Sequence, residues 1–186
     1  MKLLFENWRK FLNEEKLRVF DFDDTLAMTD SEIILVKSDG SKENLTPAEY
    51  AVYEPQQGDQ FDFSQFQGDL INPREVKKIT KVFRRVLDSG LEGRKVAILT
   101  ARDSKALPGI RSFIKDMGYD PGQIEIVTLG SSNPNDKSAW IDGQIKKGYK
   151  DIYFVDDSHK NIEAVNILKD KYKQDREIKI RTQPVD

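Results

Sequence analysis

The sequence predicts an α/β fold: a parallel sheet of about five strands covered by helices on both faces. Short apolar runs of strand length alternate with longer stretches whose apolar residues recur at helical spacing. The links between them are short, and this alternation favours parallel strands joined by crossover helices. In addition, several apolar runs stop at an acidic or hydroxyl residue. Ligands of such sheets bind beyond the carboxyl ends of the strands, near the point where strand order reverses.

The first strand falls at about 17–22, LRVFDF. An irregular acidic segment then runs to Asn72. Within it, residues 32–37 (EIILVK) read as a strand, and Ser38-Asp39-Gly40-Ser41 as a turn. Thr46 caps a short helix to about Tyr53, with Pro47 at its first position and Glu49 in its first turn. From there to Phe66 the chain reads as loop. Asn72-Pro73 opens a helix with Val76, Ile79, Val82, Phe83, Val86 and Leu87 on one face, ending at Ser89-Gly90. A buried strand at 95–99 is closed by Thr100. A helix over 106–117 stops at Gly118, and a strand follows at 124–129. A helix over 136–147 stops at Gly148, and the strand 151–155 ends at Asp156-Asp157. A helix over 158–171 precedes a last strand at 177–181.

The length of 186 residues suits one domain with a small insert. The expected organisation is an N-terminal helix over 1–16 and a core domain over 17–186, interrupted by an insert at about 27–72. With no cysteine, disulfides, thiolate metal sites and cysteine nucleophiles are excluded. The single histidine, His159, excludes a His-rich zinc site and is expected to be exposed. No apolar run reaches membrane-spanning length, and the first residues lack a signal peptide's apolar core and cleavage site. A cytoplasmic protein without membrane contact is expected. Leu3, Leu4, Trp8, Phe11 and Leu12 have the spacing of an amphipathic helix docked on the domain rather than a membrane anchor.

A net charge of −2 hides an asymmetry. Residues 30–72 hold nine acidic and two basic side chains, whereas 73–117 hold twelve basic and five acidic ones. A basic face can attract a phosphorylated ligand. The other reading is that the two stretches face each other or are solvated.

The densest chemistry lies at Asp21-Phe22-Asp23-Asp24-Thr25-Leu26. Paired carboxylates at a strand's end persist where a hard cation shares them, or where one attacks and the other moves protons. Asp21 can attack phosphorus, and Asp23 can protonate the leaving oxygen and later deprotonate water. Thr100 offers a hydroxyl to a phosphoryl oxygen. Lys137, at a helix start, offers charge to that group and to Asp21. Asp156 or Asp157 completes an oxygen site for Mg²⁺. Arg102 stands where it either reaches a substrate phosphate or forms a surface ion pair. Trp140 is expected in the core. Tyr50, Tyr53, Phe61, Phe63 and Phe66 could stack nucleobases, but the core of a small insert is the preferred reading.

In this order these residues resemble the haloacid dehalogenase superfamily of phosphohydrolases. Its DxDxT motif matches Asp21, Asp23 and Thr25, and its Thr or Ser closing a strand matches Thr100 in AILTAR. Its Lys matches Lys137 in NPNDKSAWI, and its acidic pair matches Asp156-Asp157 in IYFVDDSHKN. The resemblance covers about 17–166. It implies a Rossmann-like three-layer core, an aspartyl-phosphate intermediate and Mg²⁺ as cofactor. The metal would be held by Asp21, the backbone carbonyl of Asp23 and the acidic pair, with Asp156 the favoured direct ligand and Asp157 second or through water. Asp24 stands where many members have Gly, in a turn that tolerates other residues.

The implied function is a Mg²⁺-dependent phosphomonoester hydrolase acting on a nucleotide, a nucleic-acid end or another phosphorylated substrate, with a phosphorylated small molecule or a nucleic-acid end as its partner. The alternative is a non-catalytic phosphate-binding or interaction module with the same fold. Residues 27–72 occupy the place of the family's substrate-capping element. They are too few for a large cap, a layout similar to polynucleotide 3′-phosphatase domains. The acidic insert weighs against a polyanion and the basic helix after it weighs for one. Because the chemistry-bearing residues lie on the core, catalysis and substrate selection are expected to be separable.

Overall fold

The computed structural model describes residues 16–91 and 93–185. The helix expected over 1–16 lies outside the described residues, save that Lys16 opens the first strand. In chain order the strands are β1 (Lys16–Phe20), β2 (Ala27–Met28), β3 (Ile33–Val36), β4 (Lys42–Leu45), β5 (Gln60–Asp62), β6 (Arg74–Glu75), β7 (Arg94–Thr100), β8 (Glu125–Thr128), β9 (Asp151–Asp156) and β10 (Lys179–Pro184). The α-helices are α1 (Pro47–Val52), α2 (Lys77–Asp88), α3 (Leu107–Asp116), α4 (Pro134–Lys146) and α5 (His159–Lys171).

Five strands form one sheet in the order β10-β9-β1-β7-β8, and every neighbouring pair is parallel. This is the α/β, Rossmann-like architecture expected from the alternation of elements. The pleat sorts side chains by parity. Leu17, Val19, Ala97, Leu99, Ile152 and Phe154 face α4 and α5, where Ile141, Ile145, Val165 and Leu168 cover them. Phe20, Val96, Ile98 and Val155 face the other way, onto Ile79 and Phe83 of α2 and Ile110 and Ile114 of α3. The chain moves outward through β7 and β8, then crosses back over β1 to β9 and β10. Crossovers of one hand put the helices of the two directions on opposite faces. The order reverses at β1, and in such sheets ligands bind beyond the carboxyl ends of the strands at that point. Helices α3 and α4 stop where expected, at Gly118 and Gly148, whose φ values of 90° and 110° a side chain would resist.

The segment between β2 and β6 builds its own layer. β3 pairs antiparallel with β4 and β5, in the order β4-β3-β5. Ile33, Leu35 and Leu45 form a small core with Tyr50, Tyr53, Phe61 and Phe66 packed against it. The aromatic rings meet edge to face, with Tyr50–Phe61 centroids 5.1 Å apart. These rings therefore serve the insert's interior, while Phe63 is partly exposed beside Tyr50. Helix α1 carries the expected cap: the Thr46 side chain accepts from the Glu49 amide, and Glu49 accepts from the Thr46 amide.

Three features differ from the sequence reading. The stretch expected to be loop before Phe66 contains β5, held by Phe61 in the small core. β4 completes a hairpin through the anticipated turn. The helix expected from Asn72 starts only at Lys77, because Arg74 and Glu75 pair with Met28 and Ala27 and the Val76 amide donates to the Leu26 carbonyl. The acidic and basic stretches meet at the ion pair Asp30–Arg74, 2.5 Å. No helix among the described residues is long and apolar enough to cross a membrane.

Phe83 is fully buried and meets Phe20 edge to face at 5.1 Å. Phe83→Ala is expected to destabilise the protein by about 3–5 kcal/mol, read from the urea unfolding midpoint at unchanged slope.

Candidate active site

Asp21 follows β1, Thr100 ends β7 and Asp156 ends β9, so three neighbouring parallel strands deliver their polar ends to one edge. A tight turn bends the chain immediately after Asp21. The amides of Leu26 and Ala27 both donate to the Phe22 carbonyl, and the Asp24 amide donates to the Ala27 carbonyl. Asp24 adopts φ 53°, a left-handed conformation that aspartate tolerates better than most residues. The turn directs Asp21 and Asp23 into two different clusters.

The first cluster is centred on Lys137, in the opening turn of α4. Its ammonium donates to Asp21 Oδ1 at 2.5 Å and to Asp156 Oδ2 at 2.8 Å. All three residues are buried, Lys137 at 4% exposure and Asp156 at none. The other oxygen of Asp156 accepts from the Ser158 amide and from Asn161 Nδ2, each at 2.9 Å. Asp157 is tied to the turn through Thr25: its amide donates to Thr25 Oγ1 at 3.1 Å, and that hydroxyl donates back to Oδ1 at 3.4 Å. Oxygens of Asp21, Asp156 and Asp157 lie within 4.8 Å of one another.

Electrostatics in this cluster oppose one another. Burial penalises the Lys137 ammonium, but Asp21 and Asp156 outweigh it, and its pKa lies above the ordinary lysine value. Burial raises the pKa of Asp21 well above the carboxylate range; Lys137 opposes this, while Asp156, Asp157 and Asp23 add to it. Asp157 is pushed up to about 6, chiefly by burial and then by the charges of Asp156 and Asp24. One ammonium thus serves three close carboxylates. An all-oxygen site with surplus negative charge fits a hard divalent cation such as Mg²⁺, which would be held by Asp21, Asp156 and Asp157.

The second cluster surrounds Asp23. Arg102 Nε donates to its two oxygens at 3.1 and 3.0 Å, and Nη2 donates to Oδ1 at 2.7 Å. The Thr100 hydroxyl lies 3.5 Å from Asp23 Oδ2 and accepts from the Arg102 amide at 3.2 Å. Arg102 is only 3% exposed. Its ion pair is therefore buried rather than on the surface, and the guanidinium is engaged with Asp23. Thr100 is likewise fully buried beside Asp23. The carboxylate of Asp23 stands apart from the three-carboxylate group, so its expected part in metal binding rests on its backbone carbonyl alone. His159 is exposed at the start of α5, and Trp140 packs against the core.

Thr25 and Asn161 sit inside the motifs quoted above, but their hydrogen bonds to Asp157 and Asp156 are visible only in the fold. Thr29 and Ser31, which touch Arg102, carry no sequence signal beyond ordinary insert composition, and Phe66, read as insert core, also lies against the guanidinium.

Neither a family model nor a curated protein sequence matches this chain. Among solved structures, the chain is similar to the crystal structure of Legionella pneumophila effector Ceg4 with N-terminal yeast Hog1p sequence. That likeness has 14% identity and a TM-score of 0.44, covering 91% of this chain and 88% of that one. It is too distant to bear on the site.

The raised Asp157 pKa has a definite sign in stability. Between about pH 4 and 6 the folded protein holds a proton there that the unfolded chain releases, so this group's contribution to stability falls as pH rises through that window. Asp157→Asn is expected to raise the melting temperature of metal-free protein by a few degrees above pH 6, on the order expected for ~1 kcal/mol. The gain should vanish toward pH 4. Added Mg²⁺ should stabilise the parent protein more than the variant; thermal melts across pH, with and without Mg²⁺, measure both.

Proposed function

We propose that this protein is a Mg²⁺-dependent phosphomonoester hydrolase that works through an aspartyl-phosphate on Asp21. The observation that carries this reading is the buried Asp21–Lys137–Asp156 arrangement, with Asp157 beside it, at the carboxyl end of a parallel sheet. The motifs that resemble the haloacid dehalogenase superfamily support it from the sequence side.

In this reading Lys137 fixes Asp21 by one oxygen, and the other attacks phosphorus as the bond to the leaving oxygen breaks. Asp23 donates its proton to that leaving oxygen. It then takes a proton from the water that attacks the aspartyl-phosphate, releasing phosphate and restoring Asp21. The Lys137 ammonium offsets charge at Asp21 throughout. Bound Mg²⁺ would supply the positive charge that lets an anionic nucleophile meet an anionic phosphate. Asn161, the Ser158 amide and Thr25 hold Asp156 and Asp157 in place. Substrates in scope are a nucleotide, a nucleic-acid end or another phosphorylated substrate.

Steady release of phosphate from p-nitrophenyl phosphate with Mg²⁺ tests the reading against a non-catalytic phosphate-binding module. Asp21→Asn keeps the shape and removes the attacking charge. It is expected to lower turnover by at least about a thousandfold, and a variant retaining most of its turnover would refute Asp21 as nucleophile. EDTA should abolish activity and excess Mg²⁺ restore it; undiminished activity in chelator would exclude the metal.

A further inference from the structure

Arg102 sits on the seam between the core and the insert. Its guanidinium grips Asp23 through Nε and Nη2. The same Nη2 donates to Thr29 Oγ1 at 3.1 Å and lies 3.4 Å from Ser31 Oγ. The guanidinium carbon lies 5.0 Å from the centroid of the Phe66 ring. Thr29 and Ser31 come from the outgoing limb of the insert and Phe66 from the returning one. Nη1 is buried and makes no hydrogen bond. Among the described residues, every hydrogen bond of the guanidinium therefore goes to Asp23 or to the insert.

We propose that Arg102 is a positioning residue for Asp23 and that the insert acts on catalysis through it. Resting on the phosphohydrolase reading, this gives the insert a second role. It fixes the guanidinium, the guanidinium fixes the carboxylate that moves protons, and substrate selection and chemistry share one joint. On this proposal the expected separation of catalysis from substrate selection is incomplete, since Ser31 and Phe66 belong to the insert and touch Arg102.

The test uses the full chain with two substrates, p-nitrophenyl phosphate and an alkyl phosphate. The alkyl leaving group needs protonation and the nitrophenolate hardly does. Arg102→Met is expected to lower kcat on the alkyl ester by roughly 10–100-fold, with a loss of under about 5-fold on the activated ester and little change in KM. Arg102→Lys should recover part of the loss. In an Asp23→Asn background, Arg102→Met should cost almost nothing further. Phe66→Leu, which leaves Arg102 intact, should show the same leaving-group pattern at smaller size. Equal losses on both esters that add to those of Asp23→Asn would overturn the proposal. A rise confined to KM would do the same and make Arg102 a substrate ligand. If the parent protein turns over neither ester, the hydrolase reading fails separately. The joint is then read from unfolding midpoints: non-additive effects of Arg102→Met with Asp23→Asn and with Phe66→Leu support it, and additive effects overturn it. The same melts identify a variant that fails to fold.

Discussion

Folding this chain forces Asp21, Asp156 and Asp157 into a space where their oxygens are less than 5 Å apart, and two of the three are almost wholly out of water. Nothing in the hydrophobic core offsets that repulsion directly. The buried ammonium of Lys137 does, and the rest of the edge is arranged around it. Helix α4 has to bring its first turn over the ends of β1 and β9, so the crossover from β8 must return across the sheet. Breaking such a buried pair by removing its cation would leave uncompensated charge, a far larger penalty than losing a surface contact. The ion pair therefore links the topology of the sheet to the chemistry at its edge.

The pleat explains why the edge holds two clusters. Asp21 continues the parity of Leu17 and Val19, and Asp156 that of Ile152 and Phe154, which is the face covered by α4 and α5. Thr100 continues the parity of Val96 and Ile98, on the face of α2 and α3. Lys137 arrives on the first face, and Arg102 and the insert gather on the second. The turn after Asp21 lets one short segment reach both, because Asp24 accepts a left-handed backbone.

Much of this was legible beforehand, for identifiable reasons. Strands that are apolar on both faces announce themselves as short unbroken apolar runs and helices with one apolar face by their period, and Gly118 and Gly148 mark stops by a backbone need. Asp21, Asp156, Asp157 and Lys137 were legible because each closes a strand or opens a helix. The insert was less so. β4 (KENL) has only Leu45 buried, and β5 and β6 are three and two residues long, too short to show a period. The burial of Arg102 depends on hydroxyls of Thr29 and Ser31, which in sequence are ordinary polar residues of an irregular stretch. Only the three-dimensional return of that stretch onto the core makes them partners.

The pairing of Ala27–Met28 with Arg74–Glu75 has a consequence for how such a molecule can diversify. It brings the two ends of the insert together as neighbouring strands, so whatever lies between them begins and ends at one point on the core. Closing a longer or shorter excursion from that point changes the entropy only logarithmically. The neck therefore acts as a socket: pieces of different size can be exchanged there without redrawing the sheet. Any replacement would have to meet the core where the present insert does, at the guanidinium beside Asp23 and at the helix that Leu70 packs against.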